Sequence, residues 1–82
     1  MFMKIGDITG KFGVSHRSLR YWEEIGIIQS SRSENHYRYY DEKNQQKIKQ
    51  ILVLRKLRLS LKQIIMVLES DDAAEIIDTL QQ

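Results

Sequence analysis

Cysteine is absent from the 82 residues, which excludes disulfides, thiolate metal sites and a cysteine nucleophile. No apolar run approaches the roughly 20 residues of a membrane span, and the first residues lack the apolar core of a secretory signal. We therefore expect a cytoplasmic protein without a membrane partner. A chain of this length makes one domain with a small core, so oligomerisation would help to stabilise it.

Basic side chains are missing from the last 20 residues. Residues 1–62 contain all 13 Lys and Arg and 6 Asp and Glu, a net charge of +7, whereas residues 63–82 contain 5 acidic residues, a net charge of −5; together they give +2. A basic body with an acidic end predicts an anionic partner for the body. Charged faces that merely contact water are the alternative.

Catalytic and metal-binding patterns are also lacking. Neither His16 nor His36 accompanies a carboxylate cluster at ligand spacing, and no serine or glycine-rich motif indicates acyl or phosphoryl transfer. We expect no enzymatic activity, no metal and no cofactor.

Residues 14–26 predict a short helix with two different faces. Ser15 stands where an N-cap is expected, and Gly26 stands just past the last turn. At about 100° per residue, one side carries Leu19, Trp22 and Ile25. The opposite arc carries His16, Arg17, Arg20, Tyr21 and Glu24. Its two guanidinium groups, its imidazole and its phenol can reach base edges and phosphates in a major groove.

A first helix should precede this one, opened by Gly6 and Asp7 and ended by Gly13. Because one or two residues then remain before Ser15, the spacing is typical of a helix-turn-helix. The small core between the two helices is expected to contain Phe12, Val14, Leu19 and Trp22.

Residues 27–41 predict a two-stranded wing. Ile27 and Ile28 could start one strand, and the aromatic alternation of residues 37–40 indicates the other. Such a wing would present Arg32, Tyr37 and Arg38 to phosphates and sugars. The alternative is an ordinary surface hairpin, and we expect Tyr39 and Tyr40 to pack on the core in either case.

A long helix over residues 41–57 should follow, with Asp41 and Glu42 in its first turn. Its apolar residues cover more of the circumference than one stripe, so something must cover a second apolar side. These residues are Ile48, Ile51, Leu52, Val53, Leu54 and Leu57. Arg55 and Arg58 lie near Ser60, which could cap a helix over residues 61–69. This arrangement predicts a second phosphate clamp, although basic residues at a helix C-terminus also complement its dipole.

Residues 73–82 predict a last helix with Ile76, Ile77 and Leu80 on one side and no stop signal. Because ten residues of isolated helix are marginal in water, we expect a truncated helix that continues as a two-stranded coiled coil and joins a homodimer. The expected fold is mainly α, with a winged helix-turn-helix DNA-binding domain over residues 1–70 and the start of a dimerisation helix over residues 71–82.

The pattern resembles the DNA-binding domain of MerR-family transcription regulators over almost the whole chain. The matching segments are residues 4–7, 13–15, 18–23 with Gly26, 37–41 and 57–64. The resemblance implies two wings, a homodimer joined by an antiparallel coiled coil, and a pseudo-palindromic promoter. It also implies distortion of an over-long spacer so that RNA polymerase engages both promoter elements, usually when an effector binds a C-terminal domain; the effector here is unknown.

Two positions depart from the family pattern. The family commonly has glycine before the Tyr-Arg pair of the wing and before the turn into the fourth helix, where this chain has His36 and Arg58. If the backbone keeps φ > 0 at these positions, each side chain costs about 1 kcal/mol relative to glycine.

The resulting hypothesis is sequence-specific binding of double-stranded DNA by a homodimer. Arg17 would read a base, Arg20 would hold phosphate with His16 nearby, and Tyr21 would contact backbone or a thymine methyl. Glu24 would be a surface residue or an intrahelical partner of Arg20 at i,i+4. The alternatives are a helical protein-interaction module with solvated basic residues, and an architectural, excisionase-like protein that bends DNA without polymerase.

Overall fold

The structure, a computed structural model, describes residues 3–32 and 37–81. The described chain is mainly helical and divides into two compact units, Met1–Gln46 and Lys47–Gln82. The elements in chain order are β1 (Met3–Lys4), α1 (Ile5–Phe12), α2 (His16–Glu24), β2 (Ser31–Arg32), β3 (Arg38–Tyr40), α3 (Glu42–Lys56), α4 (Leu61–Glu69) and α5 (Ala73–Gln81). Helix α3 begins in the first unit and ends in the second.

The first unit contains the predicted helix-turn-helix. Gly13 ends α1 in the left-handed region with φ 65° and donates its N–H to Thr9 O. Two residues later Ser15 caps α2, because its Oγ accepts the Ser18 N–H at 3.1 Å. The spacing and both end signals are therefore confirmed.

The end of α2 is a Schellman turn. Gly26 has φ 83°, its N–H donates to Glu23 O, and the Ile27 N–H donates to Trp22 O, both at 3.1 Å. The left-handed residue satisfies carbonyls that a helix end leaves without partners, which explains why glycine suits this position.

The sheet differs from the predicted two-stranded wing. It has three antiparallel strands in the order β1-β3-β2, because Met3 pairs with Tyr40 and Lys4 with Tyr39. The prediction that Ile27 and Ile28 start a strand is wrong, since both are buried side chains in the turn before β2.

The core of the first unit contains most of the apolar residues predicted to be buried, whereas Ile25, predicted on the buried side of α2, is 37% exposed. Leu19 and Trp22 of α2 are buried, as is Tyr40 of β3, which confirms that this tyrosine packs inward. Among the described residues of this unit, the other buried apolar side chains are Ile8, Val14, Ile27 and Ile28. Phe12 and Tyr39 are partly exposed.

Helix α3 is positioned at its start by polar contacts. Asp41 precedes the helix rather than joining its first turn, and its Oδ1 accepts the Asn44 N–H at 2.9 Å. The Asn44 side chain is buried, and its Oδ1 accepts the Gln29 N–H at 2.8 Å. The chain that leaves α2 is therefore tied to the first turn of α3.

The second unit contains the rest of α3 with α4 and α5. Ile48, Ile51 and Leu54 are buried, whereas Leu57 is 37% exposed. Ser60 and Gln63 form a capping box at α4: Ser60 Oγ accepts the Gln63 N–H at 3.2 Å, and Gln63 Oε1 accepts the Ser60 N–H at 2.8 Å. The predicted bounds of α4 are confirmed.

Helix α5 packs on α4. Of the three residues predicted on one dimerisation face, Ile77 is buried within the single chain, Ile76 is partly exposed, and Leu80 is 43% exposed. In the described ranges, no helix combines the length and apolar character that crossing a bilayer requires.

Candidate nucleic-acid interface

Helix α2 presents one continuous polar face. A surface groove of about 400 Å³ is lined by five side chains of this helix, the same five that the helical spacing predicts on one arc: His16, Arg17, Arg20, Tyr21 and Glu24. All five are exposed, and Ser15 is exposed beside them. Because Leu19 and Trp22 on the opposite side are buried, the orientation of the helix is fixed.

The groups in this groove suit a DNA duplex. Guanidinium groups can bind guanine edges in a bidentate manner or hold phosphates, and a helix fits the major groove. Of the two roles expected for Glu24, the structure shows an exposed surface residue, and the described residues include no hydrogen bond or ion pair between its side chain and that of Arg20. The Arg20 guanidinium is therefore not engaged by that carboxylate.

The neighbouring residue Glu23 points away from this face. Its Oε1 accepts a hydrogen bond from Ser30 Oγ. Its Oε2 accepts from Arg38 Nη1 at 3.3 Å and from Tyr40 Oη at 3.2 Å. One carboxylate of α2 is thus bonded to the segment before β2 and to two side chains of β3.

Burial and charge act together on this cluster. The side chain of Glu23 is 16% exposed and that of Arg38 is 26% exposed. Burial raises the pKa of the Tyr40 phenol well above its ordinary value of 10.0, and the charge of Glu23 and the hydrogen bond to it raise that pKa further. Tyr40 therefore stays protonated and donates to Glu23 across the neutral pH range.

The predicted wing residues lie on two faces of the sheet. Arg32 is paired directly with Arg38, and opposed residues of antiparallel strands project to the same face. Tyr37, just before β3, is 62% exposed, and Lys4 Nζ lies 5.7 Å from the centroid of its ring. Because side chains alternate along a strand, Tyr37 belongs to the face of Tyr39 and Lys4, and Arg38 belongs to the other.

The second unit carries the remaining predicted contacts. Arg55 and Arg58 are exposed at the C-terminal end of α3, and α4 begins directly after Ser60. Arg58 has φ 63°; its N–H donates to Arg55 O and the Leu59 N–H donates to Leu54 O, which is a second Schellman turn. The expectation of φ > 0 is confirmed at Arg58, and that for His36 lies outside the described residues.

Sequence reasoning did not assign a role to Glu23 or Ser30. The partners of Glu23 stand 7, 15 and 17 residues along the chain, beyond the reach of a helical or strand period. The signal that could have found them is a carboxylate that directly follows the buried Trp22. Within residues 3–32 and 37–81, no three His, Asp or Glu side chains are grouped to hold a metal ion.

Two short helices joined by a glycine turn, with a small sheet beside them, define a winged helix-turn-helix domain. The model of the MerR HTH family of regulatory proteins matches residues 3–71, and the chain belongs to this family.

Curated relatives match part of their own length. The nodulation protein NolA of Bradyrhizobium sp. (strain NC92) is 37% identical over 62 residues, which cover 74% of this chain and 26% of that protein. The transcriptional regulator BrlR of Pseudomonas aeruginosa is 34% identical over 64 residues, covering 76% and 24%. The HTH-type transcriptional regulator CueR of Bacillus subtilis is 33% identical over 61 residues, covering 74% and 43%. The chain thus spans less than half the length of these relatives.

Two solved structures share the fold. HiNmlR, a MerR family regulator lacking the sensor domain and bound to promoter DNA, superposes with a TM-score of 0.73 at 20% identity over 99% of this chain and 68% of that one. A MerR-family transcriptional regulator from Bacillus cereus gives a TM-score of 0.74 at 21% identity over 99% and 63%.

Proposed function

We propose that this chain binds double-stranded DNA in a sequence-specific manner and regulates transcription as a homodimer in the cytoplasm. The observation that carries the proposal is the exposed groove of α2, which groups His16, Arg17, Arg20 and Tyr21 around one face while the opposite face is buried. Family membership supports it, as does the promoter DNA bound to the related HiNmlR. No catalytic role is proposed.

Within α2 the two arginines have different roles. Arg17 stands in the first turn of the helix, and the N-terminal residues of a recognition helix are those that contact base edges. We assign it a bidentate contact to guanine and assign Arg20 a phosphate contact. Ser15 and His16 contact the adjacent backbone, and Tyr21, which is 47% exposed, contacts backbone or a thymine methyl.

The flanking duplex is held by basic residues of the sheet and of the α3–α4 turn. On the sheet these are Arg32 and Arg38 with Tyr37, and on the turn they are Arg55 and Arg58. Each adds position rather than sequence information, because phosphate contacts fix register but read no bases.

Promoter control is the finer part of the proposal. A homodimer joined through α5, with Ile76 and Leu80 still accessible at its surface, would bind a pseudo-palindrome, because operator symmetry mirrors protein symmetry. Distortion of the spacer between two promoter elements would then let RNA polymerase engage both. Ile77 of the same predicted face is buried within the single chain, so we assign it a supporting role beneath Ile76 and Leu80.

The test begins with duplexes selected by the full chain from a random-sequence pool. Fluorescence anisotropy then compares the selected duplex with a scrambled one. Arg17→Ala should lower the ratio of specific to non-specific affinity by about 5- to 150-fold, as expected for a bidentate base contact of about 1–3 kcal/mol. Arg20→Ala should weaken both duplexes equally, and Lys43→Ala, an exposed basic residue of α3, should change little.

The salt dependence of binding and a transcription assay distinguish the proposed function from its two alternatives. Each phosphate contact contributes about 0.9 to the slope of log affinity against log salt, so a salt-insensitive partner interaction would favour the protein-interaction module. A transcription assay on promoters of different spacer length separates an activator from an architectural protein, since the latter would bend the duplex without a dependence on polymerase.

A further inference from the structure

Glu23 stands on the recognition helix, but all three of its side-chain partners lie outside that helix. Ser30 precedes β2, and Arg38 and Tyr40 belong to β3. The contact therefore joins the helix that reads DNA to the sheet that flanks it. The side chain is only 16% exposed, so water competes weakly for these bonds.

We infer that Glu23 is a positioning residue that fixes β3, and with it the Arg38 guanidinium, relative to α2. The inference rests on the proposed function, in which Arg38 contacts a DNA phosphate. The bond to Glu23 engages Nη1 of Arg38. A guanidinium has five donors in one rigid plane, so the contact with the carboxylate restrains the group while other donors remain for a phosphate.

The sheet cannot supply this orientation by itself. Its strands contain two, two and three residues, so few ladder hydrogen bonds resist a change of angle between the sheet and the helix. A carboxylate that accepts from Arg38 and Tyr40 together constrains two alternate side chains on the same face of β3. The position of the wing thus depends on one side chain of α2.

Electrostatics alone predicts the opposite effect of this residue on DNA binding. A carboxylate near an interface with phosphates repels the duplex, and its removal should tighten binding, most of all at low salt. A positioning role predicts that its removal weakens binding. The sign of the change therefore discriminates between the two.

The experiment compares Glu23→Gln with Asp7→Asn in the full chain. Both remove one negative charge from the first unit, but Asp7 is an exposed residue of α1 outside the α2 groove. On the selected duplex, we expect Glu23→Gln to bind about tenfold more weakly, the size of one lost charge-assisted hydrogen bond. Asp7→Asn should bind as tightly as the parent or more tightly. Circular dichroism during thermal unfolding confirms that each variant is folded at the temperature of the titration.

A double-mutant cycle with Arg38→Gln tests the route of the effect. If Glu23 acts through Arg38, Glu23→Gln should have little further effect in the Arg38→Gln background, and either change should lower the salt slope by about 0.9. Tyr40→Phe keeps the ion pair and loses one bond to Glu23, so it should lower thermal stability and leave the affinity of the folded protein within about twofold.

Two different failures can be told apart. Tighter binding by Glu23→Gln, or an undiminished loss in the Arg38→Gln background, overturns the positioning role. If Arg38→Gln itself binds as the parent does while Arg17→Ala loses specificity, the wing contact is wrong and the inference falls with it, although the α2 contact stands. If Arg17→Ala also leaves the ratio of specific to non-specific affinity unchanged, the proposed function fails.

Discussion

Arg58 combines a strained backbone with a proposed phosphate contact, so replacing it with glycine should change stability and DNA affinity in opposite directions. Its φ of 63° lies in the left-handed region, where a side chain costs about 1–2 kcal/mol that glycine avoids. Glycine also gives the unfolded chain more conformational freedom, which reduces the gain in the free energy of unfolding by about 0.4–1 kcal/mol. We expect Arg58→Gly to raise the free energy of unfolding by about 0.5–1 kcal/mol.

The stability change is measurable by thermal unfolding. For a domain of this size, about 1 kcal/mol corresponds to a shift in Tm of about 4–8 °C, so the expected rise is about 2–8 °C. The two hydrogen bonds of the Schellman turn, from the Arg58 and Leu59 N–H groups, involve the backbone and should persist. Arg58→Asn, which also tolerates this conformation, should give a smaller rise in the same direction.

DNA affinity should fall in the same variant. Loss of one phosphate contact weakens specific and non-specific duplexes alike and lowers the salt slope by about 0.9. Arg58→Lys keeps the charge and the strain, so it should match the parent in Tm and slope. An unchanged or lower Tm for Arg58→Gly would refute the strain reasoning, and an unchanged salt slope would refute the phosphate contact.

Three further predictions test the fold. Ser60→Ala removes the cap of α4 and the box with Gln63, so the free energy of unfolding measured by urea should fall by about 1 kcal/mol; no change would mean that the cap is dispensable. Leu19→Ala should cost about 2–5 kcal/mol, whereas Tyr21→Ala should stay within about 0.5 kcal/mol, and a reversed order would mean that the helix face is misassigned. Because the pKa of Tyr40 is raised in the folded state, the contribution of its phenol to the free energy of unfolding is fully present below pH 10.0 and is lost as the pH rises further. In urea unfolding measured against pH, Tyr40→Phe should therefore lose less stability above pH 10.0 than the parent does. Parallel curves for the two proteins would contradict this linkage.

The helices were predictable because their signals are local. Ser15 and Ser60 bond to residues three positions ahead, and Gly13 and Gly26 occupy left-handed turns that directly follow helices. Burial of Leu19 on the opposite side from the arginines follows from helical spacing. These features need no knowledge of what packs on the helix.

The sheet was less predictable because its pairing is not local. Strand β1 joins the sheet through the pairing of Met3 with Tyr40, 37 residues away. The periodicity of the sequence gives no information about a contact over this separation. Ile27 and Ile28 have the β-branched, apolar character of a strand, but the turn after α2 buries them in the core instead. Burial, rather than ladder hydrogen bonding, decided the conformation of this segment.

The short strands also explain why polar side chains matter in the first unit. Strands of two or three residues provide little resistance to twisting, so the sheet is anchored at both ends of β3 by side-chain bonds. Glu23 holds the side chains of Arg38 and Tyr40, and Gln45 Nε2 donates to Tyr40 O at 2.8 Å. Each anchor lies on a helix whose own position is set by its caps and buried face. The proposed contact between Arg38 and a phosphate would therefore depend on directional bonds, which a hydrophobic core does not supply.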